Sequence, residues 1–303
     1  EKEFIYCQKE SLDNVIKSKE NPFNITFNNF KKILYQKHPY SFIGMGNEES
    51  INQIKHDDIL NEYESLKKRN KYLLTNYKKC STFNLKDIKA NNYKNKVNKI
   101  HLELFKNKIN YIEHYSNSKQ IILIIGSQTC PHICEDSLSL KILESYLSYG
   151  MSSLLFKIFR ENNGLTYDSG VFYPSRKFNA PFLIYISVSE RNATLTLNLL
   201  LSIWHDLVSK KISENELSLA KLKLKRSFLH SYRTCEDKIF RKVSLMGLGM
   251  DPYHDEKAED ILETIKPDQI LSVSKKYLIT PCISITGNKK LCKELKNIWK
   301  KKY

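Results

Sequence analysis

No stretch of this 303-residue chain is apolar enough to cross a membrane. The longest clean apolar run is Ile121–Ile125, against about 20 residues for a spanning helix. The opening residues, Glu1-Lys-Glu-Phe-Ile-Tyr, are charged and form no secretory signal. No Met precedes them, so a fragment or a processed product is the expectation. The seven cysteines (Cys7, Cys80, Cys130, Cys134, Cys235, Cys282 and Cys292) are odd in number and scattered. That excludes a disulfide framework and points to a reducing intracellular compartment, with a mitochondrion or plastid compatible. Cys130-Pro-His132-Ile-Cys134 has no second Cys/His pair at zinc-finger spacing, so a plain loop between a strand and a helix is expected. Gly44-Met-Gly46 lacks the Gly-Lys-Ser/Thr of a phosphate loop and has no strand before it. The eight histidines are His38, His56, His101, His114, His132, His205, His230 and His254, and no two stand four apart. Two ligands one helical turn apart are the minimum of a helical two-His zinc motif. This chain alone is therefore expected to hold no catalytic zinc.

The 41% hydrophobic residues suffice for a core and rule out disorder throughout. The length suits one large or two medium domains. Lys and Arg number 49 against 33 Asp and Glu, a formal charge of +16. The lysines are dispersed among asparagines, most densely over Lys86–Lys119, and no aromatic–basic motif of the RNA-binding type accompanies them. A solvated basic surface is the reading, with no nucleic-acid partner.

Periodicity predicts a helix over Asn24–Lys37, faced by Phe27, Phe30, Ile33 and Leu34 and stopped at His38-Pro39-Tyr40. His38, ahead of Pro39, is expected to be a loop residue without a catalytic role. A second helix is predicted over Asp57–Lys68, acidic in its first turn and basic in its last. Residues 70–107 read as a linker or irregular region. Strands follow at Ile109–Tyr115 and Gln120–Gly126, then a helix faced by Leu138, Ile142, Leu143, Tyr146 and Leu147. Two more strands, Thr166–Tyr173 and Phe182–Ser189, flank Pro174 and Pro181. A long helix covers Ala193–Val208, and Ser213-Glu-Asn-Glu216 is a capping box for the next, running to about Tyr232. Helices over Ile239–Leu248 and from Pro267 to about Leu278, a strand at Cys282–Gly287 and a basic closing helix complete the order. Trp204 and Trp299 fall on helices as core or interface aromatics. Partly segregated strands and helices argue an α+β fold, with an antiparallel or mixed sheet and helices packed mainly on one face.

The densest information lies in Gly150-Met-Ser-Ser-Leu-Leu-Phe-Lys-Ile-Phe-Arg160-Glu-Asn-Asn-Gly164-Leu-Thr-Tyr167. A glycine opens a helix whose apolar stripe is Leu154, Leu155, Ile158 and Phe159. Arg160 ends it, Gly164 serves as its C-cap, and a β-rich run starts at Tyr167. By themselves Arg160 and Tyr167 read as a helix-end cation paired with a carboxylate and a core aromatic opening a strand.

Three blocks carry a resemblance. The first is Tyr35-Gln-Lys-His-Pro-Tyr-Ser-Phe-Ile-Gly-Met-Gly-Asn-Glu-Glu-Ser-Ile51 with His56-Asp-Asp-Ile-Leu. The most specific is Leu143 to Tyr167, with its Gly-Met-Ser-Ser and Arg-Glu-Asn-Asn-Gly-Leu-Thr-Tyr. The third is Ile212-Ser-Glu-Asn-Glu-Leu-Ser-Leu-Ala-Lys. Together they resemble the C-terminal half of pitrilysin/insulinase-type zinc peptidases, nearest the mitochondrial and stromal processing peptidases and their bacterial relatives. The resemblance spans about Tyr35–Lys300, with residues 70–107 poorly matched. It implies residues 1–69 as the tail of a preceding catalytic-type domain with connecting helices, and 108–303 as the non-zinc peptidase domain. It also implies a His-x-x-Glu-His zinc site in a catalytic N-terminal half or partner subunit, peptide substrates, and a clamshell of two halves. Arg160 and Tyr167 match the Arg and Tyr that reach from this half into that zinc site, with Arg160, Tyr167 and Gly164 as substrate-binding positions. The alternative is a catalytically inactive binding subunit of a heterodimeric processing peptidase.

Overall fold

The computed structural model describes residues 1–69 and 108–303, so the expected linker over 70–107 lies outside the described residues. Five strands form one sheet: β1 (Asn110–Tyr115), β2 (Gln120–Gln128), β3 (Thr166–Phe172), β4 (Pro181–Ser189) and β5 (Cys282–Gly287). Their order is β1-β5-β2-β4-β3. β1 and β5 run parallel, whereas β2 pairs antiparallel with both β5 and β4, and β3 with β4. The sheet is mixed and the fold is α+β.

β2 is buried along Ile121–Gln128 because both of its faces are covered. Side chains alternate across a strand. Ile121, Leu123 and Ile125 enter the larger core with Phe182, Ile184, Ile186 and Val188 of β4. Ile122 and Ile124 enter a second cluster with Leu183. The larger core is roofed by α5 (Asp136–Ser148), α6 (Ala193–Ser209), α7 (Glu214–His230), α10 (Pro267–Tyr277) and α11 (Lys289–Lys302), which contribute Leu143, Leu200, Leu224, Ile270 and Leu295. Trp204 is buried in this layer and donates its indole N–H to the Leu278 carbonyl at 2.9 Å, while Trp299 is buried on α11.

The second face is covered by α2 (Pro22–Tyr35) through Phe30, Leu34 and Tyr35. Its Thr26 hydroxyl meets the Thr286 hydroxyl at 2.6 Å, and Ser284 Oγ donates to the Thr26 carbonyl at 3.0 Å. The stretch 1–69 therefore supplies a structural layer to the sheet. α1 (Lys2–Glu20), α3 (Glu48–Gln53) and α4 (His56–Lys67) continue this side, and α4 buries no residue. His38 is buried in an aromatic cluster with Tyr35, Tyr40 and Phe178, where its Nδ1 accepts from the Tyr40 N–H at 3.0 Å.

The middle of α8 (Cys235–Gly247) and the first turn of α9 (His254–Thr264) meet through one buried charge. Asp255 is 3% exposed and takes both arms of Arg241, at 2.6 and 2.8 Å, and the Tyr232 hydroxyl at 2.8 Å. These bonds hold its carboxyl below the usual range against the desolvation of burial. α9 is absent from the periodic reading because its inward face begins with this Asp, followed by Ala258 and Leu262.

Candidate functional site

The Arg160–Tyr167 segment is built from the end of α5 outward. α5 stops at Tyr149, and Gly150 turns the chain with φ +74. A short helix starts at Leu154 and widens into a π-helical turn over Phe156–Glu161, where the Asn162 N–H reaches the Lys157 carbonyl at 2.8 Å. Leu155 and Phe159 anchor it in the larger core, and Leu154 and Ile158 pack at that core's margin. Isolated π turns are rare and recur at functional sites.

Gly164 ends this helix in the left-handed region at φ +57. Its N–H reaches the Arg160 carbonyl at 3.2 Å, and the Leu165 N–H reaches the Phe159 carbonyl at 2.7 Å. The six-residue reach over a left-handed glycine is a Schellman-type cap. A Cβ at Gly164 would meet open space, so the cost of a side chain is the backbone conformation alone. Gly164→Ala is expected to lose about 1–2 kcal/mol, which a shift of the denaturation midpoint at unchanged slope would show. No measurable loss would mean that this turn is not held at positive φ.

Arg160 is exposed at the end of the π turn. Its guanidinium carbon lies 5.3 Å from the centroid of the Phe156 ring, one turn back. Among the described residues it has no carboxylate partner, so the structure does not realise the ion-paired helix end.

Tyr167 occupies a β-bulge. Thr166 pairs with Val188 and Asp168 with Ser187, so Tyr167 is the extra residue on the edge strand β3. Bulges add twist and re-aim the strand, and gather beside functional sites. Thr166 braces the bulge: it is 5% exposed, its Oγ1 accepts from the Asp168 N–H at 3.1 Å, and the same oxygen can donate to the Asp168 carbonyl at 2.8 Å or to that of Ser187. Sequence reasoning passes over Thr166, since a β-branched residue before Tyr carries no signal of a bulge.

Cys130-Pro-His132-Ile-Cys134 is the loop between β2 and α5. Burial and the neighbouring Cys134 push the Cys130 thiol up to about 12, the reverse of a thiolate ligand. His132 is buried with neither ring nitrogen bonded to protein, its ring centroid 5.6 Å from that of His254. Among the described residues no three His, Cys, Asp or Glu side chains are gathered to hold a metal. Asp255 beside the two histidines is taken by Arg241. The donors present do not fit zinc.

Burial, then the cations Lys141 and Arg241, push His132 down to about 4. Above the ordinary His pKa of about 6.5 it is neutral whether folded or unfolded, and its titration costs nothing. As pH falls from there toward 4 only the unfolded chain takes the proton, so stability is lost, by about 3 kcal/mol at most. His132→Leu removes the titration without breaking a side-chain hydrogen bond. Urea unfolding at pH 7.5, 6 and 5 is expected to show a shallower decline for the variant; parallel declines would acquit His132.

The chain matches the peptidase M16 inactive domain over residues 74–224. An uncharacterized zinc protease of Rickettsia felis is 27% identical over 162 residues, which are 52% of this chain and 38% of that protein. This chain thus spans well under half of that relative. Among solved structures, the peptidase M16 inactive domain from Pseudomonas fluorescens aligns with a TM-score of 0.76 at 16% identity, over 95% of this chain and 71% of that one. A protease from Helicobacter pylori gives 0.74 at 14%, over 95% and 72%. A chain of complex III2 from Candida albicans gives 0.65 at 13%, over 95% and 74%. Together these matches support a C-terminal half of a peptidase M16 family member, similar to that family's inactive domain.

Proposed function

We propose that this chain is the substrate-clamping half of a zinc metalloendopeptidase, completing an active site whose zinc is held by another half. The observation that carries the reading is the Arg160-to-Tyr167 segment. A guanidinium without a carboxylate partner among the described residues ends a π turn, a left-handed Gly164 reverses the chain, and Tyr167 follows at a braced bulge on an edge strand. An arginine and a tyrosine on either side of this turn suit acyl-group chemistry. Hydrolysis of a peptide bond develops negative charge on the carbonyl oxygen, and a preplaced donor stabilises that charge more than the ground state. Tyr167 donates its phenolic hydrogen to this oxygen. Arg160 holds a neighbouring carbonyl of the substrate with its fixed fork of donors. Gly164 keeps the two in register. The other half supplies the metal and the water, and peptides are the substrates.

The placement is tested by photocrosslinking. A benzophenone amino acid replacing Arg160 is expected to capture a labelled peptide substrate, but only when the zinc-bearing half is also present. Capture with this chain alone, or none in the complex, would count against a shared site.

A further inference from the structure

A pocket of about 460 Å3 lies outside the Arg160–Tyr167 segment. It is walled by the loop after β2, the first turn of α5, and α9 and α10. Leu138 and Val273 line it, and Ile133 and Ile261 stand at its margin with 64% and 53% of their surface exposed. Solvent-facing isoleucines around a concave apolar surface mark an interaction site. Its charge is the informative part. The chain carries +16, and three other pockets of the described residues each include Lys or Arg in their linings. This lining includes Glu135 and Asp136 and no Lys or Arg. Asp136 accepts from Lys276 at 2.6 Å and from the Tyr277 hydroxyl at 2.8 Å. Glu135 has no cationic partner among the described residues and is exposed at the mouth.

We propose that this pocket is an anchoring site for an extended peptide segment in which a large apolar side chain stands beside a lysine or arginine. The apolar side chain fills the space between Leu138, Val273 and Ile261, and the cation pairs with Glu135. The pocket lies at the N-terminal end of α5, and the Gly150 turn that leads to Arg160 follows its C-terminal end. Thirteen helical residues rise about 20 Å, which roughly six extended residues of substrate would span. The anchor thus holds substrate well away from the bond that is cut. A surface that is repulsive to basic peptides elsewhere would direct them here.

The inference rests on the peptide-handling reading, but its test needs only this chain. A fluorescein-labelled nonapeptide with Leu flanked by Arg, in a Gly/Ser background, is titrated with the 303-residue protein and followed by anisotropy. Controls carry Glu in place of Arg, or Ser in place of Leu. Saturable binding is expected for the first peptide alone. Glu135→Lys and Ile261→Asp alter exposed side chains, with folding checked by circular dichroism, and each is expected to weaken binding by roughly tenfold or more. The proposal is overturned if the Arg/Leu peptide does not saturate the wild type, if either control binds as well, or if both variants bind like wild type. Because no zinc-bearing half is present, these outcomes leave the role of Tyr167 untouched, and loss of that role leaves the anchor standing.

Discussion

Tyr167→Phe lowers kcat of the reconstituted two-half peptidase by roughly 10²–10³-fold, with KM little changed. The variant keeps the ring and removes one hydroxyl, so β3 and its bulge, whose described bonds run through Thr166, Asp168 and Ser187, are retained. A donor that acts on the oxygen only as charge develops contributes to the transition state and not to binding. Removal of one such donor costs about 3–4 kcal/mol. Arg160→Ala provides the contrast. A side chain that holds a ground-state carbonyl raises KM when removed, at a smaller cost to kcat. Steady-state kinetics on one fluorogenic peptide separate the two. Equal kcat for Tyr167→Phe and wild type would remove Tyr167 from the chemistry.

Arg241→Ala destabilises the fold by about 3–5 kcal/mol, because it leaves the Asp255 carboxylate buried without its counter-charge. The Tyr232 hydroxyl remains as a single neutral donor. The loss falls hardest on α8, which buries only Leu245 and is tied to α9 through this guanidinium. Denaturant unfolding and limited proteolysis around α8 measure both effects. The paired variant Arg241→Met with Asp255→Leu removes charge and counter-charge together and is expected to recover most of the loss. A single variant within about 1 kcal/mol of wild type would show that Asp255 is solvated on the protein's own terms.

The legible parts of the fold are those whose burial follows a period. α2, α5 and α6 were marked by their apolar faces and α7 by the Ser213 capping box, which closes as expected, with Glu216 returning to the Ser213 N–H at 3.0 Å. β2 was marked as a buried strand because helices cover both of its faces. What escaped has its cause in long-range partners. α9 turns a carboxylate inward, and only the Arg241 and Tyr232 contacts make that tolerable. α1 buries Val15 alone and shows little apolar period. In the candidate site, Arg160, Gly164 and Tyr167 stood out through the resemblance of their block. The π turn, the bulge and the Thr166 brace did not, since hydrogen-bond register is settled by β4 across the strand and not by local residue type.

The central claim is tested most directly by peptidase activity in three samples: this chain alone, the zinc-bearing half alone, and the two together. The account predicts hydrolysis only in the mixture. Full activity of the zinc-bearing half by itself would contradict it, and a stable but inactive complex would reassign this chain to a binding subunit.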